Sequence, residues 1–510
     1  MFANIRSHGV RGIECFTVNI EVDVTHGMPV YNTVGLPDAA VRESRDRVQS
    51  AIKNSGFSYP HERVIINLAP ADMRKEGSLY DLAIALGLLI ATGQLNSPLI
   101  DTYTVLGELA LDGSVRPING VLPMVIDARE RGVKNFMLPT ENANEAAYID
   151  GISIYPVSNL RQAVMHLSGR EEITPAELKS WSPEKANKAA NDFALIQGQV
   201  NAKRAAEVAV AGGHNMLLVG TPGSGKTMLA RSIPSIMPDL TEQEAIEITK
   251  IHSIAGILNS DAGLVYERPF RSPHHTASAP SLVGGGSKAL PGEISLAHYG
   301  VLFMDEFPEF KREVLEAMRQ PLEDGVITIS RTMGKATYPA NFMLIAAMNP
   351  CPCGNYGSKH TPCRCTRNEI KRYLQRVSGP MLDRIDINVE MNEVPYKDMS
   401  SKRQNETSES IKKRVNAARE IQLERFKGTG ILYNSHMTSE MVVKYCVLSD
   451  AAEKIMEMAF ERNNLSGRAY NRLLKVSRTI ADLAGSETIA PEHLTEAMQY
   501  RSIISKYWGE

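Results

Sequence analysis

A glycine-rich loop is the part of this chain whose residue types and spacing point most directly to chemistry. Residues 220–227 read Gly-Thr-Pro-Gly-Ser-Gly-Lys-Thr and follow the apolar run Asn215-Met-Leu-Leu-Val. Glycines let backbone N–H groups turn toward phosphate oxygens, and a helix that begins there adds partial positive charge. Lys226 can reach the β- and γ-phosphates of ATP, and the Thr227 hydroxyl can bind Mg²⁺. The predicted phosphate cradle is Gly220, Thr221, Pro222, Gly223, Ser224, Gly225, Lys226 and Thr227.

An acidic pair supplies the second half of this chemistry. The segment Gly300-Val-Leu-Phe-Met is followed directly by Asp305 and Glu306. Four consecutive apolar residues favour a buried strand, which places both carboxylates at the end of that strand. We expect Asp305 to hold the Mg²⁺ shell and Glu306 to polarise the attacking water, so the site is predicted to hydrolyse ATP. The alternative, a helix cap near Pro308, does not account for the phosphate loop upstream.

A cysteine cluster forms a third candidate site. Four of the six cysteines occur as Cys351-Pro-Cys353 and Cys363-Arg-Cys365. Four thiolates suit tetrahedral Zn²⁺, and in a reducing compartment such a cluster favours metal binding over disulfides. We therefore predict a zinc site at these four cysteines, with His360 as a substitute ligand. The other interpretation is four metal-free thiols, because the one-residue spacing within each pair is less usual than two.

Length and composition set the context of these motifs. At roughly 150 residues per domain, 510 residues predict about three domains. The net charge is −2, so contact with nucleic acid would depend on local basic patches. The sequence shows neither a signal-peptide pattern nor an apolar run long enough to span a bilayer. We expect a cytoplasmic protein that makes no membrane contact.

The chain divides by pattern into three regions and a linker. Residues 1–167 alternate β-rich and helical stretches, which is typical of an α/β or α+β domain. Residues 168–191 are polar, contain two prolines and read as a linker with room for one helix. Residues 192–394 hold the phosphate-loop motifs. Residues 395–510 are predicted to be helical, because their apolar residues recur at helical spacing. The predicted helical segments of this last region include Ile411–Phe426, Met437–Arg462 and Asn471–Leu483.

Longer strings resemble the ComM/YifB family of magnesium-chelatase-like AAA+ ATPases, and the resemblance covers essentially the whole chain. The strings are Arg268-Pro-Phe-Arg-Ser-Pro-His-His-Thr-Ala-Ser, Val283-Gly-Gly-Gly, Pro291-Gly-Glu-Ile-Ser-Leu-Ala-His-Tyr-Gly, Asn349-Pro-Cys-Pro-Cys-Gly and Ser378-Gly-Pro-Met-Leu-Asp-Arg-Ile-Asp. The resemblance implies an α/β fold, with a P-loop AAA+ core and a helical lid.

The same resemblance implies roles for three further residues. Asn349, at the end of the apolar run that begins at Asn341, would sense the γ-phosphate and help to position water. Arg384 would be an arginine finger that stabilises transition-state charge at a neighbouring subunit's ATP. Arg468 would be a second sensor on the lid. These roles imply a ring, and the family implies a hexamer. Without the resemblance, either arginine would be interpreted as part of a surface ion pair.

Two insertions characterise the magnesium-chelatase-like branch. One would be the loop around Phe270 to Ala297. The other is a hairpin over residues 325–339, which β-branched residues around a glycine-containing turn also predict. In related DNA-translocating rings this hairpin lines the pore, so the resemblance implies Arg331 and Lys335 as DNA contacts. Without the family, two basic residues near a hairpin tip would be read as edge protection.

The first region resembles the Lon-protease catalytic domain, a ribosomal S5-type fold. The matching strings include Asn67-Leu-Ala-Pro-Ala-Asp and Gly107-Glu-Leu-Ala-Leu-Asp-Gly. Leu79 and Leu122 occupy the positions of the catalytic serine and lysine, and a leucine can neither attack a carbonyl nor accept a proton. Ser78 is out of register by one residue. We expect a degenerate domain without peptidase activity.

Three functions remain open at this point. The ComM resemblance implies a hexameric DNA motor, a branch-migration helicase that acts in recombination and natural transformation on branched or single-stranded DNA. The alternative is a magnesium-chelatase-type motor subunit that drives metal insertion through partner proteins. The third is an ATP-dependent peptidase or unfoldase, and the missing dyad argues against its peptidase half.

Overall fold

The computed structural model describes eight stretches of the chain. They are residues 1–182, 191–259, 263–286, 289–331, 334–358, 360–395, 405–462 and 466–508. Part of the predicted linker, residues 183–190, and the turn of the predicted hairpin, residues 332–333, lie outside the described residues.

The first region builds a seven-stranded mixed sheet in the order β3-β4-β2-β1-β5-β8-β9, with a small β6–β7 ladder beside it. Its strands are β1 Phe2–Arg11, β2 Glu14–Thr25, β3 Val30–Val34, β4 Arg63–Ala69, β5 Tyr103–Val105, β6 Glu108–Leu109, β7 Val115–Arg116, β8 Asn135–Pro139 and β9 Ser153–Val157. Along β2, Val18, Ile20, Val22 and Val24 face the core in strict alternation, as one buried face of a sheet requires.

Five helices accompany this sheet. They are Ala39–Asn54, Asp81–Ala91, Val121–Glu130, Ala143–Ala146 and Leu160–Leu167. The helix Asp81–Ala91 is buried on nearly every side and packs on β1 and β2, which explains its continuous apolar sequence. The mixture of parallel and antiparallel strands with helices confirms the expected α+β domain.

The second region contains a five-stranded parallel sheet in the order β11-β14-β17-β10-β18. The strands of this region are β10 Met216–Gly220, β11 Phe270–Arg271, β12 Gly284–Gly285, β13 Leu290–Pro291, β14 Val301–Met304, β15 Val326–Arg331, β16 Gly334–Pro339, β17 Met343–Met348 and β18 Ile387–Met391. Every residue of β10, β14 and β17 is buried. Strands covered on both faces read as continuous apolar runs, which is why the sequence predicted them.

Helices cover both faces of the parallel sheet and form the lid. Those of the core are Val200–Gly212, Lys226–Ser232, Glu242–Ala255, Ala279–Val283, Glu293–Leu296, Arg312–Ala317, Arg319–Asp324, Arg367–Leu374 and Gly379–Leu382. Those of the lid are Ser408–Arg425, Ser439–Tyr445, Asp450–Arg462, Gly467–Leu483 and Pro491–Trp508. No helix in the described stretches is both long and apolar enough to cross a membrane.

The lid corrects one sequence expectation. The segment Met437–Arg462, predicted as one helical stretch, is two helices. The chain leaves the helix after Tyr445 because the backbone groups between the two helices pair with the segment before the last helix: Ile489 donates its N–H to Val447, and Ser449 donates to Ile489. A long-range pairing of this kind has no signal in the local apolar period.

The first domain is seated on the ATPase core through a buried contact. Leu122 packs with Tyr148, Ile149 and Leu264 in one apolar cluster. Ser253 Oγ, in the core helix Glu242–Ala255, donates to the buried carboxylate of Glu145 at 2.6 Å. The described part of the predicted linker, residues 168–182, runs as an irregular strap, and its Trp181 stacks on Tyr266 at 4.8 Å.

Candidate nucleotide site

The loop at residues 220–226 joins β10 to the helix Lys226–Ser232. Gly223 and Gly225 adopt φ values of +78° and +91°, a region in which a side chain would be strained. These conformations allow the tight turn that the loop makes between β10 and the helix. The side-chain oxygens of Thr221 and Ser224 are buried here without a hydrogen-bond partner in the described structure. Such unsatisfied groups fit a ligand rich in oxygen atoms, as the phosphates of ATP are.

Lys226 folds back over the loop and is only 9% exposed. Its Nζ donates to the carbonyl oxygens of Gly220 and Thr221 at 2.7 and 2.9 Å, and to Asn349 Oδ1 at 3.2 Å. Burial lowers the pKa of Lys226 to about 8, and the negative charge of Asp305 opposes part of that shift. The ammonium group is therefore held beside Asn349, one of the residues predicted to contact the γ-phosphate.

Asp305 and Glu306 directly follow β14, and Asp305 lies beside the phosphate loop. Thr227 Oγ1 donates to Asp305 Oδ2 at 2.8 Å, so the two predicted Mg²⁺ ligands are in direct contact. Glu306 follows in the left-handed region at φ +52° and is half exposed. Its carboxylate pairs with His275 Nδ1 at 2.9 Å. The structure thus brings Lys226, Thr227, Asp305 and Asn349 into one chain of contacts, with Glu306 directly beside Asp305.

Two residues at this site were not predicted. His275 lies in the first insertion and reaches the site only through the fold. Gln199 Nε2 donates to the carbonyl of Ser224 at 3.0 Å and to that of Asn392 at 2.6 Å, which ties the phosphate loop to the end of β18. Both belong to segments distant in sequence from the loop, and neither carries a local pattern that indicates this position.

Arg384 lies at the opposite edge of the parallel sheet. It lines a cavity of about 530 Å³ together with Asn215, Gly300 and Met343, which lie just before or at the starts of β10, β14 and β17. Strands of four to six residues span roughly 13–20 Å, which separates this edge from the loop. Arg384 is 8% exposed, and its guanidinium donates to the carbonyls of Arg319 and Pro380 and pairs with Glu323.

Arg468 is exposed at the start of the helix Gly467–Leu483. Residues four apart share a helix face, and Arg472, one turn later, lines the same cavity as Arg384. Arg472 also lies 3.5 Å from the carboxylate of Asp386. Arg384 and Arg472 thus lie at the amino edge of the sheet, opposite the edge that carries this chain's own phosphate loop. Arg468 lies on the same helix face as Arg472.

The four predicted cysteine ligands converge. All four Sγ atoms lie within 4.8 Å of one another, and those of Cys351, Cys353 and Cys363 are 3.4–3.7 Å apart. A tetrahedron with Zn–S bonds of about 2.3 Å has sulfur–sulfur edges of about 3.8 Å. Burial raises the pKa of Cys351 to about 12, whereas backbone N–H donors lower that of Cys353 to about 6. This cluster could hold a metal ion.

Two residues beside the cysteine cluster show what surrounds it. His360, the substitute ligand, pairs instead with Glu393 at 3.4 Å. Gly354 packs against the phosphate loop, since a Cβ atom on it would lie 2.7 Å from the Pro222 ring. The cysteine cluster is thus a direct neighbour of the nucleotide site.

The second insertion is a hairpin in which β15 pairs antiparallel with β16. Ile327, Ile329, Ala336 and Tyr338 are buried in the core, so one face of the hairpin is anchored. Lys335 is exposed near the tip. Arg331 pairs with Gly334 through the backbone register, and its side chain lies outside the described part of the structure.

Leu79 and Leu122, the positions that the Lon resemblance aligns with the catalytic serine and lysine, are both buried in apolar surroundings. Leu79 belongs to the core of that domain, and Leu122 belongs to the contact with the ATPase core. Ser78 donates to Glu108 instead of to a lysine. The nearby Lys75 is fully buried and donates to the carbonyls of Pro70 and Met73, and burial lowers its pKa.

Together, the parallel sheet, the phosphate loop and the acidic pair define a P-loop protein of the AAA+ class. The family described as "Magnesium chelatase, subunit ChlI" matches residues 192–399, and its C-terminal family matches residues 405–501. A further family, "Subunit ChlI of Mg-chelatase", matches residues 20–142.

Comparison with individual proteins narrows the class. The chain is 42% identical to "Competence protein ComM" of Haemophilus influenzae over 98% of each chain. It is also 42% identical to "Uncharacterized protein YifB" of Escherichia coli, over 98% of this chain and 97% of that one. The chain therefore belongs to the ComM/YifB family of magnesium-chelatase-like AAA+ ATPases, as the sequence predicted. A stretch of 122 residues, 24% of this chain and 22% of the relative, is 29% identical to "Lon protease 2" of Bacillus subtilis.

Nucleotide affinity is expected to fall as the pH rises above about 8. The free protein loses the Lys226 charge near this pH, and a bound triphosphate favours the charged form, so binding takes up a proton. Between roughly pH 8 and 10, affinity for ATP should drop by up to about tenfold per unit. Titration of a fluorescent nucleotide at fixed ionic strength measures this.

The control is Lys226→Arg, whose guanidinium keeps its charge throughout this range. Its affinity should be lower overall but nearly independent of pH. A wild-type affinity that stays constant to about pH 10 would contradict the assignment of Lys226 as the titrating group.

Proposed function

We propose that this chain is the subunit of an ATP-driven DNA motor that forms a hexameric ring and migrates branched DNA. The observation that carries the proposal is the division of the site between two edges of one sheet. Lys226, Asp305, Glu306 and Asn349 lie at the carboxyl edge, and Arg384 lies at the amino edge. A site divided in this way is complete only when the amino edge of one subunit meets the carboxyl edge of the next, as in a closed ring.

Each residue then has a defined task in hydrolysis. Lys226 exchanges its loop carbonyls for the β- and γ-phosphates, while Thr227 and Asp305 hold Mg²⁺. Glu306 accepts a proton from the attacking water, which Asn349 helps to orient. When bound, Mg²⁺ neutralises charge that develops on the phosphate oxygens.

Arg384 supplies positive charge to the neighbouring subunit's site. Within its own chain it is held by Glu323 and by carbonyl oxygens of Arg319 and Pro380. Reaching a neighbour's phosphate requires it to leave Glu323, so ring closure and arginine release are coupled. Arg468, on the helix face of Arg472, is the second cation offered to that neighbour.

The polynucleotide partner is inferred from the hairpin and from the relatives. The hairpin is anchored by one buried face and presents Lys335 to solvent near its tip, and Arg331 lies across the turn. A relative of equal length is named a competence protein, which supports a function in DNA recombination and transformation. ATP and DNA are both cytoplasmic, so we place the motor there.

The chelatase-type alternative is disfavoured because a relative aligned over 98% of each chain is named a competence protein. Residues 1–167 form a Lon-like domain, residues 192–394 the ATPase core and residues 395–510 the lid, with residues 168–191 as the linker. In this chain the first domain serves as a brace for the core and has no peptidase activity, because Leu79 and Leu122 replace both reacting groups.

ATP turnover and branch migration provide the main test. Wild type should hydrolyse ATP faster with four-way DNA and should convert a labelled four-way junction into forks. Glu306→Gln should still bind ATP but turn over at least about 100-fold more slowly, because the general base is lost. Lys226→Ala should lose nucleotide binding. Glu309→Gln, an exposed glutamate three residues away, is the control and should behave as wild type.

One result of this test would contradict the proposed DNA motor. If forked and four-way DNA neither bind nor raise turnover, while a protein or metallochelate partner does, the DNA motor is wrong and the chelatase-type function is favoured.

Mixing of variants tests whether Arg384 acts on a neighbour. Arg384→Ala and Lys226→Ala should each abolish turnover alone. In mixed rings, an Arg384→Ala subunit keeps its phosphate loop and can receive the arginine of a Lys226→Ala neighbour. At equal amounts, about one quarter of the sites should be complete, and ATPase activity should recover in proportion. Recovery that is absent at every ratio would place Arg384 in its own subunit's site.

Zinc in the cysteine cluster is tested by metal analysis. We expect about one Zn²⁺ per chain in the purified protein. Cys363→Ser should lose the metal and lower the unfolding temperature, whereas Cys15→Ser, a cysteine of the first domain, should keep it. Far less than one zinc per chain, with the fold intact by circular dichroism, would remove zinc from the proposal.

A further inference from the structure

A short helix beside the cysteine cluster carries a face of unpaired positive charge. Between residues 364 and 376 the chain has five basic side chains and one acidic side chain. Arg376 pairs with Glu309 at 2.6 Å, which neutralises one of the five. The other four are exposed, and within the described stretches none of them forms an ion pair; they are Arg364, Arg367, Lys371 and Arg372. We call these four residues the basic face.

The single acidic residue of this stretch does not neutralise the basic face. Glu369 closes a capping box at the start of the helix Arg367–Leu374, where its Oε2 accepts from the backbone N–H and the hydroxyl of Thr366 at 2.8 and 2.9 Å. These hydrogen bonds lower the pKa of Glu369, and the charge of Arg372 adds to the shift. The carboxylate is thus held at the N-terminal turn, where it stabilises the helix.

The helix is held in place from its opposite side. Tyr373 and Leu374 are buried in an apolar cluster that also contains Phe310. The indole N–H of Trp508, at the end of the last helix, donates to the carbonyl of Leu374 at 3.1 Å. At the other end, the N-terminal cap of the helix directly follows Cys365 of the cysteine cluster. The basic face is therefore presented to solvent from a support that both ends of the helix share.

The charge pattern does not stabilise this helix by itself. Arg367 and Lys371 are four residues apart and so are neighbours on the helix surface, where like charges repel. Arg364 and Arg367 also lie at the N-terminal end of the helix, whose partial positive charge disfavours cations. A polyanion bound against the basic face would remove both unfavourable interactions. The pattern is therefore more typical of a binding surface than of a solvated helix face.

The chemistry of the surface favours nucleic acid over a protein partner. Protein interfaces are centred on apolar and aromatic side chains, whereas interfaces with DNA are polar and strongly positive. Within residues 360–395, all of which the structure describes, no large apolar side chain is exposed. Asn368 and Gln375 are exposed on the same helix, and their amides can donate to phosphate oxygens. Duplex DNA carries a charge about every 1.7 Å of its axis, so several phosphates come within reach of four cations.

We propose that the basic face binds the phosphate backbone of a DNA arm, through an element different from the hairpin. The proposal rests on the proposed function, since it takes DNA as the partner. Phosphate contacts of this kind carry no sequence information, and they set the position of the duplex on the protein. The basic face contains no residue of the phosphate loop or of the acidic pair, so ATP is hydrolysed without it. An arm bound there lies beside the cysteine cluster.

The salt dependence of DNA binding tests this proposal. The triple variant Arg367→Gln/Lys371→Gln/Arg372→Gln removes three cations and leaves Arg364, which lies between two of the clustered cysteines. Affinity of the full-length protein for a labelled linear duplex is measured between roughly 50 and 200 mM salt. Each phosphate contact contributes about 0.9 to the slope of log affinity against log salt, so the slope should become shallower by about 2.7 per engaged subunit. Affinity near 0.1 M salt should fall at least about tenfold.

Two further variants serve as controls. Lys53→Gln/Arg63→Gln/Arg161→Gln removes the same charge from exposed positions of the first domain and should keep the wild-type slope. Arg367→Lys/Arg372→Lys keeps every charge of the basic face and should also keep that slope, because the electrostatic contribution depends on charge. ATP turnover without DNA should be unchanged in all of these variants.

The outcomes separate this proposal from the proposed function. If wild type binds neither linear nor four-way DNA, the proposed function fails and the basic face has no DNA to bind. If wild type binds DNA and the triple variant keeps the wild-type slope, or the first-domain control loses as much slope as the triple variant, only the basic face is overturned. A triple variant that no longer forms the wild-type assembly by light scattering would assign the basic face to a contact between copies of the chain, which also overturns the proposal.

Discussion

The parallel register of β10, β14 and β17 is the constraint on which the rest of the site depends. Parallel strands bring their carboxyl ends to one edge, so residues distant in sequence follow three adjacent strands into the same space. Lys226 reaches Asn349 and Thr227 reaches Asp305 only because Val219 is paired with Met348 and β14 runs beside β17. The same register fixes the opposite edge, where the cavity that includes Arg384 lies.

Much of this arrangement could be predicted from local sequence, because its signals are local. Continuous apolar runs indicated the buried parallel strands, and the glycine pattern indicated the loop, so the fold class and the family are confirmed. The contacts of His275 and Gln199 could not be predicted, since each depends on a segment brought in by tertiary packing. The break in Met437–Arg462 escaped prediction for the same reason. The last helix, Pro491–Trp508, lies in the region predicted to be helical, but its bounds were not predicted because its amphipathic pattern is weak.

The first domain packs on the ATPase core at Leu122, the position where the Lon resemblance would place a catalytic lysine. A lysine at position 122 would place a charge in a largely apolar contact, and burying a charge is costly in free energy. Leucine there packs with Leu264 of the ATPase core, and Glu145 accepts from Ser253 beside it. The helix that carries Ser253 also places His252 Nε2 3.2 Å from the carbonyl of Leu296, at the end of the first insertion. The first domain and the insertion therefore both contact the helix Glu242–Ala255.

The phosphate loop and its lysine are contacted by elements from separate parts of the chain. Gln199 ties it to the end of β18, and Gly354 of the cysteine cluster packs on Pro222. Asn349, which accepts from Lys226, lies two residues before Cys351, so metal held by the cluster would fix the backbone next to this contact. Because protein interiors are closely packed, small shifts in any of these elements reach the loop directly. Nucleotide turnover in this chain should thus depend on contacts well outside its glycine-rich motif.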